Sequence, residues 1–361
     1  MTQLSRFQAA LAKTDIEAAL LSSSLSQRYL SDFHYSDGYI LVTPDTALLL
    51  ADFRYIEAAK KEVKNFEVME PKDGMLVELS KQISERKLHR VAIEEDALSC
   101  AALEKLREIF PKNIELVSGV SRLLCQQRAI KLPYELERIA TAQEITDRAF
   151  SHILRVLADR PSSMTEQDVA LELEYCMRKN GAEDLAFHTI AVSGPSSSLP
   201  HGVPQAIPLR EGFLTMDFGA KAMGYCSDMT RTVVLGHATA EMRKVYDTVL
   251  SAQLNALNGI REGIKCRDAD ALARDPITKA GYGDAFGHSL GHGVGLYIHE
   301  DPRLSSKASE DSVLRAGHVV TVEPGIYLCG KFGCRIEDMV TICEDGSLRN
   351  FTKSPKELIE L

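Results

Sequence analysis

No run of about 18 uncharged apolar residues occurs in the 361-residue sequence, so nothing in it reads as a membrane-spanning helix. The N-terminus lacks the long apolar core of a signal peptide, because Met1 to Phe7 soon meet Lys13, Asp15 and Glu17. A cytoplasmic location, without membrane association, is the resulting expectation. A surplus of basic residues is missing as well. With 42 Lys and Arg against 51 Asp and Glu, and a formal net charge of −9, the chain lacks the basic face of a nucleic-acid binder. None of its eight cysteines forms a C-x-x-C pair, and in a chain of this length they do not read as a disulfide framework. They are expected to be reduced and mostly buried.

What is present reads as a soluble globular protein, 45% hydrophobic and 26% charged. The length exceeds one ordinary core, so two domains are expected. In the first third, the apolar runs Tyr39 to Thr43 and Thr46 to Ala51 flank the turn pair Pro44-Asp45 and predict a hairpin. Arg90 to Ile93 predicts a strand, and Ala101 to Phe110 a helix closed by Pro111. This pattern implies an N-terminal α/β domain over 1–125. Beyond it, Pro133 opens a long helix to about Leu157 at a tolerated first-turn position. Thr165-Glu166-Gln167-Asp168 announces a second, which stops at Asn180-Gly181. A third is expected from about Glu241 to Ile260. Strand-like runs follow at Thr189 to Val192, Phe213 to Val234 and Val319 to Val340. The region 126–361 therefore reads as an α+β domain with segregated helices and antiparallel strands.

Two pairs of acidic residues lie inside these apolar strands. Asp217 and Asp228 are equidistant from a turn centred between Ala222 and Met223, which would place them directly opposite on one face. Glu323 and Glu337 are likewise equidistant from Gly330. One acidic residue in a strand is ordinarily a solvated position. Two symmetric pairs in apolar surroundings would cost several kcal/mol per buried ion unless cations lie between them. The third element is the glycine-rich stretch Phe286 to Glu300, with His288, His292 and His299. Its four glycines exclude a helical zinc site and favour a strand or loop that approaches a ligand closely. Four carboxylates carry about −4, which two divalent cations neutralise. Oxygen-rich ligation without thiolate suits Mn²⁺, with Co²⁺ or Zn²⁺ possible. Such a pair, about 3.5–4 Å apart, suits hydrolysis.

These stretches resemble the pita-bread (creatinase/aminopeptidase) metallopeptidases, specifically the Xaa-Pro aminopeptidase and Xaa-Pro dipeptidase (prolidase) branch. The resemblance rests on Asp52-Phe53-Arg54-Tyr55, Ser193-Gly194-Pro195, Leu199-Pro200-His201-Gly202, MDFGA, YCSDMTRT, GHSLGHGVGLYIHEDPR, VEPGIY and RIED. It implies a pita-bread C-terminal domain behind a smaller creatinase-like α/β domain, a homodimer, and proline-containing peptides as substrates. Asp217 would chelate one metal, Asp228 and Glu337 would bridge both, and His292 and Glu323 would complete the other site. Glu323 would also be the acid/base partner. His299 would hydrogen-bond the substrate carbonyl, His201 would line the proline side, and His288 would relay protons or support the shell. Arg335 would orient Asp217, and Arg303 would meet a substrate carboxylate as in the dipeptidases, although the same HEDPR motif occurs in aminopeptidases and does not settle the branch. Cys329 and Cys334, where the family often has Pro or Val, are expected to be buried and inert.

The leading expectation is an Xaa-Pro aminopeptidase, with Xaa-Pro dipeptidase as the alternative. A non-catalytic binding protein would have lost ligands, and all five are present. A creatinase-type amidinohydrolase lacks the carboxylate set. A methionine aminopeptidase would not normally carry this N-terminal domain or the HEDPR stretch, and a broader-specificity aminopeptidase that also releases N-terminal Met or Ala is the less favoured alternative.

Overall fold

The computed structural model describes residues 2–159 and 163–361. The chain forms two compact units, one ending at Arg128 and the other beginning at Ala129. In the first, a six-stranded sheet runs in the order Glu67–Met69, Ala47–Leu50, Tyr39–Val42, Ala18–Leu21, Arg90–Ile93, Glu115–Val117. Only Tyr39–Val42 runs against its neighbours; the other five strands share one direction. Ala18–Leu21 and Ala47–Leu50 are apolar and buried at every position, the pattern of strands covered on both faces. The hairpin at Pro44-Asp45 is present, with Val42 opposite Ala47. The helix expected near Ala101 is Cys100–Ile109, and the Ser99 hydroxyl caps it by accepting from Ala102 N–H at 3.1 Å.

The second unit is built from two similar layers of elements. Its first helix, Pro133–Ala158, starts on proline, and the Glu135 carboxylate folds back to accept from Leu132 N–H at 2.8 Å. Ile139, Ala142, Thr146, Ala149, Phe150, Ile153 and Leu157 recur at helical spacing and form its buried face. The partner helix Glu166–Lys179 opens on a reciprocal capping box between Thr165 and Asp168 and ends before Gly181, which adopts φ +103°. These two helices cover an antiparallel sheet of Ile190–Ser193, Gly212–Phe218 and Met229–Leu235. The order then repeats. Helices Ala240–Gly259 and Cys266–Lys279 cover Gly291–Gly293, Val319–Val322 and Asp338–Ile342, with Glu300–Leu304 and Leu348–Asn350 at the edges. This repeat of shape has no counterpart in the sequence.

In each layer the last two strands run on into a separate hairpin. Gly212–Phe218 and Met229–Leu235 continue as Ala220–Ala222 and Tyr225–Cys226. Val319–Val322 and Asp338–Ile342 embrace Gly325–Leu328 and Phe332–Arg335. The ladder breaks where strand pair meets hairpin. Asp217, Asp228, Glu323 and Glu337 all lie at or beside those breaks.

The first register differs from expectation. The turn is centred between Met223 and Gly224, one residue later than expected, so Asp217 faces Thr230 and not Asp228. Met223 (φ +48°) and Gly224 (φ +87°) both take left-handed conformations, as a two-residue hairpin turn of this hand requires. Moving the turn centre by one residue moves each partner by two, and a two-residue shift preserves the face. Asp217 and Asp228 therefore still share a side, as diagonal neighbours. In the second hairpin the centre is Gly330, as expected: Gly325 opposes Arg335 and Val322 opposes Asp338 in one continuous register. Cys329 lies in that tight turn and is exposed, correcting the expectation that it is buried; Cys334, inside the strand, is buried. All eight cysteines are free, four of them buried.

Candidate metal centre and substrate cleft

The second unit contains a cavity of about 500 Å³. Asp217, Asp228, His292, Glu323, Glu337, His201, His288, His299, Arg303 and Arg335 all line it. Every candidate ligand and substrate-contacting residue expected from the sequence thus opens onto one space.

The acidic floor is tightly drawn. Ligand atoms of Asp228, His292 and Glu337, all three buried, lie within 4.8 Å of one another. His292 Nε2 is 3.5 Å from Asp228 Oδ2 and 3.4 Å from Glu323 Oε1. His292 Nδ1 lies 3.0 Å from the Gly293 carbonyl, which fixes the proton there and leaves the Nε2 lone pair directed at the carboxylates. A lone pair facing two carboxylates is unfavourable without a cation between them.

Asp217 gives the same indication. Its Oδ2 accepts from Arg335 at 2.6 Å, while its Oδ1 is buried with no hydrogen-bond partner among the described residues. Such orphaned acceptors are uncommon in native interiors and point to an ion. Burial first, then repulsion from Glu337, Asp217 and Glu323, pushes Asp228 well above the ordinary carboxylate range. Burial, with Glu323 and Asp217, does the same to Glu337. Glu323 is pushed up to about 7, chiefly by burial. Burial pulls His292 down to about 4, so it stays neutral. These residues fit divalent metal: hard oxygen donors, one neutral imidazole, and more negative charge than the protein neutralises.

A second tier holds this floor. Thr230 Oγ1 donates to Glu337 Oε2 at 2.6 Å. Thr321 Oγ1 donates to Glu323 Oε1 at 3.0 Å and accepts from His292 N–H at the same distance. Arg335 donates to Asp217, to Thr230 Oγ1, and to Tyr327 Oη at 2.5 Å. Tyr327 Oη in turn lies 3.0 Å from His288 Nε2, and His288 Nδ1 lies 2.9 Å from the Ser289 carbonyl. One direction satisfies the whole chain: Arg335 donates to Tyr327, Tyr327 to His288 Nε2, and His288 Nδ1–H to Ser289. Burial pulls His288 down to about 4, consistent with that neutral tautomer. From the other side, Asp270 accepts from Leu290 N–H while Arg274 donates to the carbonyls of Phe286 and His288.

The sequence reading missed Thr230, Thr321, Tyr327, Asp270 and Arg274. Tyr327 left a signal, because the residue it opposes and the one two before it are glycines, 333 and 325. A Cβ at either would sit 2.6–2.7 Å from the Tyr327 side chain. The ring fills the space that both glycines leave.

His299 stands at the rim, exposed, its ring edge-on to His292 at 4.4 Å between centroids. Burial, then Arg303 and His201, lower its pKa, so it is neutral and retains one N–H donor. His201 lines the same cavity with Pro200, Val203 and Pro204, two residues after the exposed Leu199. Arg303 is exposed on the strand Glu300–Leu304 and makes no hydrogen bond or ion pair among the described residues.

Residues 137–344 match the profile of metallopeptidase family M24, and residues 3–130 match the creatinase/prolidase N-terminal domain. Among solved structures, an Xaa-Pro dipeptidase from Bacillus anthracis superposes with a TM-score of 0.94 at 40% identity, over 99% of both chains. An X-Pro aminopeptidase from Thermotoga maritima gives 0.90 at 38%, over 99% of this chain and 100% of the other. An Xaa-Pro dipeptidase from Pyrococcus horikoshii is 37% identical over 353 residues, 96% of this chain and 95% of its own. Among the described residues no helix is long and apolar enough to cross a membrane.

Proposed function

The chain belongs to metallopeptidase family M24, and from that premise we propose that it is an Xaa-Pro dipeptidase holding two divalent ions, with Mn²⁺ the first choice. Asp217, Asp228, His292, Glu323 and Glu337 would hold them. When bound, the ions supply a nucleophilic hydroxide at neutral pH and electrophilic stabilisation of the developing oxyanion. Glu323 accepts a proton from the attacking water and returns it toward the leaving nitrogen. The neutral His299 donates its N–H to the scissile carbonyl, and the donation strengthens as negative charge develops there. Proline presents a tertiary amide without N–H, so its recognition rests on shape. His201 and the apolar residues beside it form that wall.

The observation that favours a dipeptidase over an aminopeptidase is Arg303, a guanidinium on the cleft wall without a protein carboxylate. A dipeptide ends in a carboxylate one residue past the scissile bond, and a free guanidinium meets it bidentately. A longer peptide has a neutral amide there. The dipeptidase names of the Bacillus anthracis and Pyrococcus horikoshii relatives support the same reading. The aminopeptidase reading draws support from the Thermotoga maritima protein. Matched substrates decide. An Xaa-Pro dipeptide should exceed its Xaa-Pro-Ala extension at least tenfold in kcat/KM. Arg303→Ala should erase that preference by raising the dipeptide's KM, the loss of one charge-assisted contact. Equal rates on dipeptide and tripeptide in the unmodified enzyme would make it an aminopeptidase. A cytoplasmic homodimer acting on proline-containing peptides completes the proposal.

A further inference from the structure

We infer that Lys131 and Glu300 form a positioning pair that sets the place of His299. The inference rests on the proposed role of His299 at the substrate carbonyl. Their side chains are almost fully buried, 1% and 2% exposed, with Lys131 Nζ 3.2 Å from Glu300 Oε2. Lys131 Nζ also donates to the Ala129 carbonyl at 3.4 Å. Burying two charges this deeply is costly unless they compensate one another and their hydrogen bonds are made.

The carboxylate of Glu300 lies inside the loop that carries His299. That loop leaves the sheet at Gly293 and returns at Glu300, the two residues being paired across the ladder. Between them Glu300 Oε1 accepts from Tyr297 N–H at 3.1 Å. Its Oε2 lies so near Gly295 that a Cβ there would approach to 2.5 Å. The backbone is thus moulded around the carboxylate, and only glycine permits the approach. The loop is tied to the metal floor as well, since the Gly295 carbonyl accepts from Cys226 N–H at 2.8 Å, two residues before Asp228. Lys131 is the fixed point beneath the loop. It immediately precedes Leu132, the N-cap of the long helix, and its own N–H bonds the Gly317 carbonyl at 2.9 Å. Glu300 opens the strand with its side chain buried, while His299, the last residue of the bend before it, is exposed and lines the cleft.

Lys131 and Glu300 touch neither substrate nor the metal-ligand atoms, so their effect must pass through the loop. The test compares single and paired variants for kcat, KM, metal content, Tm and backbone hydrogen exchange over residues 294–300. Lys131→Met strands a buried carboxylate and should lower both Tm and kcat. Lys131→Met with Glu300→Met removes both charges and should restore Tm. Yet kcat should stay at least tenfold down, with KM within twofold and metal content unchanged, because a displaced His299 acts on the transition state. Exchange over 294–300 should rise in both. Gly295→Ala, which displaces the carboxylate without touching a charge, gives a second route and should reproduce the kcat loss. Recovery of kcat in step with Tm in the paired variant would reduce the pair to a structural role. So would unchanged exchange in the loop, and that readout holds even if the unmodified enzyme proves inactive on Xaa-Pro substrates.

Discussion

His299 and His292 are seven residues apart in the chain, meet edge to face, and differ in burial, which is what would give them different tasks. His292 is buried with its Nδ1 proton held by a carbonyl, so its Nε2 is turned to the carboxylates and would serve as a ligand. His299 is exposed at the rim and still has a donor to offer. His299→Ala should therefore lower kcat by roughly 10²–10³, the scale of one lost oxyanion donor, while metal content stays near normal. Metal analysis beside steady-state kinetics checks it, and loss of metal in that variant would exchange the two roles. The sequence reading separated the three histidines only by resemblance, because burial and tautomer depend on neighbours distant in the chain. His288 shows why. Its partner Tyr327 is 39 residues away, and what fixes Tyr327 is the guanidinium of Arg335 on the facing strand.

At the scale of the elements, the carboxylates were legible because β-structure has period two. An error of one residue in the turn centre left Asp217 and Asp228 on the correct face, since faces depend on parity alone. What periodicity could not supply is the break in the ladder that lets Asp228 turn toward its partners. Gly219 makes that break: a Cβ there would sit 1.9 Å from the Ser227 carbonyl oxygen, so the two backbones touch directly beside Asp228. Below, the Ser227 hydroxyl lies 2.7 Å from that of Thr146 and accepts from Ala220 N–H at 2.9 Å, fixing the kink to the long helix. Gly219→Ala should cost about 1–3 kcal/mol of stability, the range for forced overpacking, and should weaken metal binding with it. Gly287→Ala is the control, because no atom lies within 4 Å of its added carbon and its cost should stay within about 0.5 kcal/mol. Urea unfolding and metal titration of both variants decide the matter. Equal metal affinities would separate the Gly219 kink from the site.

Across the whole catalytic unit, two layers with separate apolar cores bring their carboxylates to one seam, Asp217 and Asp228 from the first and Glu323 and Glu337 from the second. Neither layer completes the site alone, so metal should tie the layers together and stabilise the folded unit by mass action. That linkage has a definite sign with pH. Glu323 is raised to about 7, so in the metal-free fold it takes up a proton as pH falls through 7, and Asp228 and Glu337 also hold protons above their usual range. Metal requires them ionised and must displace those protons. His292, near 4, adds no competing proton above pH 5. The gain in stability on adding Mn²⁺ to the chelated protein should therefore be complete above pH 7 and shrink below it. With one proton displaced, moving from pH 7 to 5.5 removes roughly 2 kcal/mol of binding, about thirtyfold in affinity. Thermal unfolding at pH 7.5 and 5.5, with chelator and with saturating metal, measures the difference directly, and activity should vanish on chelation and return with Mn²⁺ or Co²⁺. An equal shift in Tm at the two pH values would mean that the carboxylates are already ionised in the metal-free fold. In that case Arg335, and not a divalent ion, would be neutralising the seam.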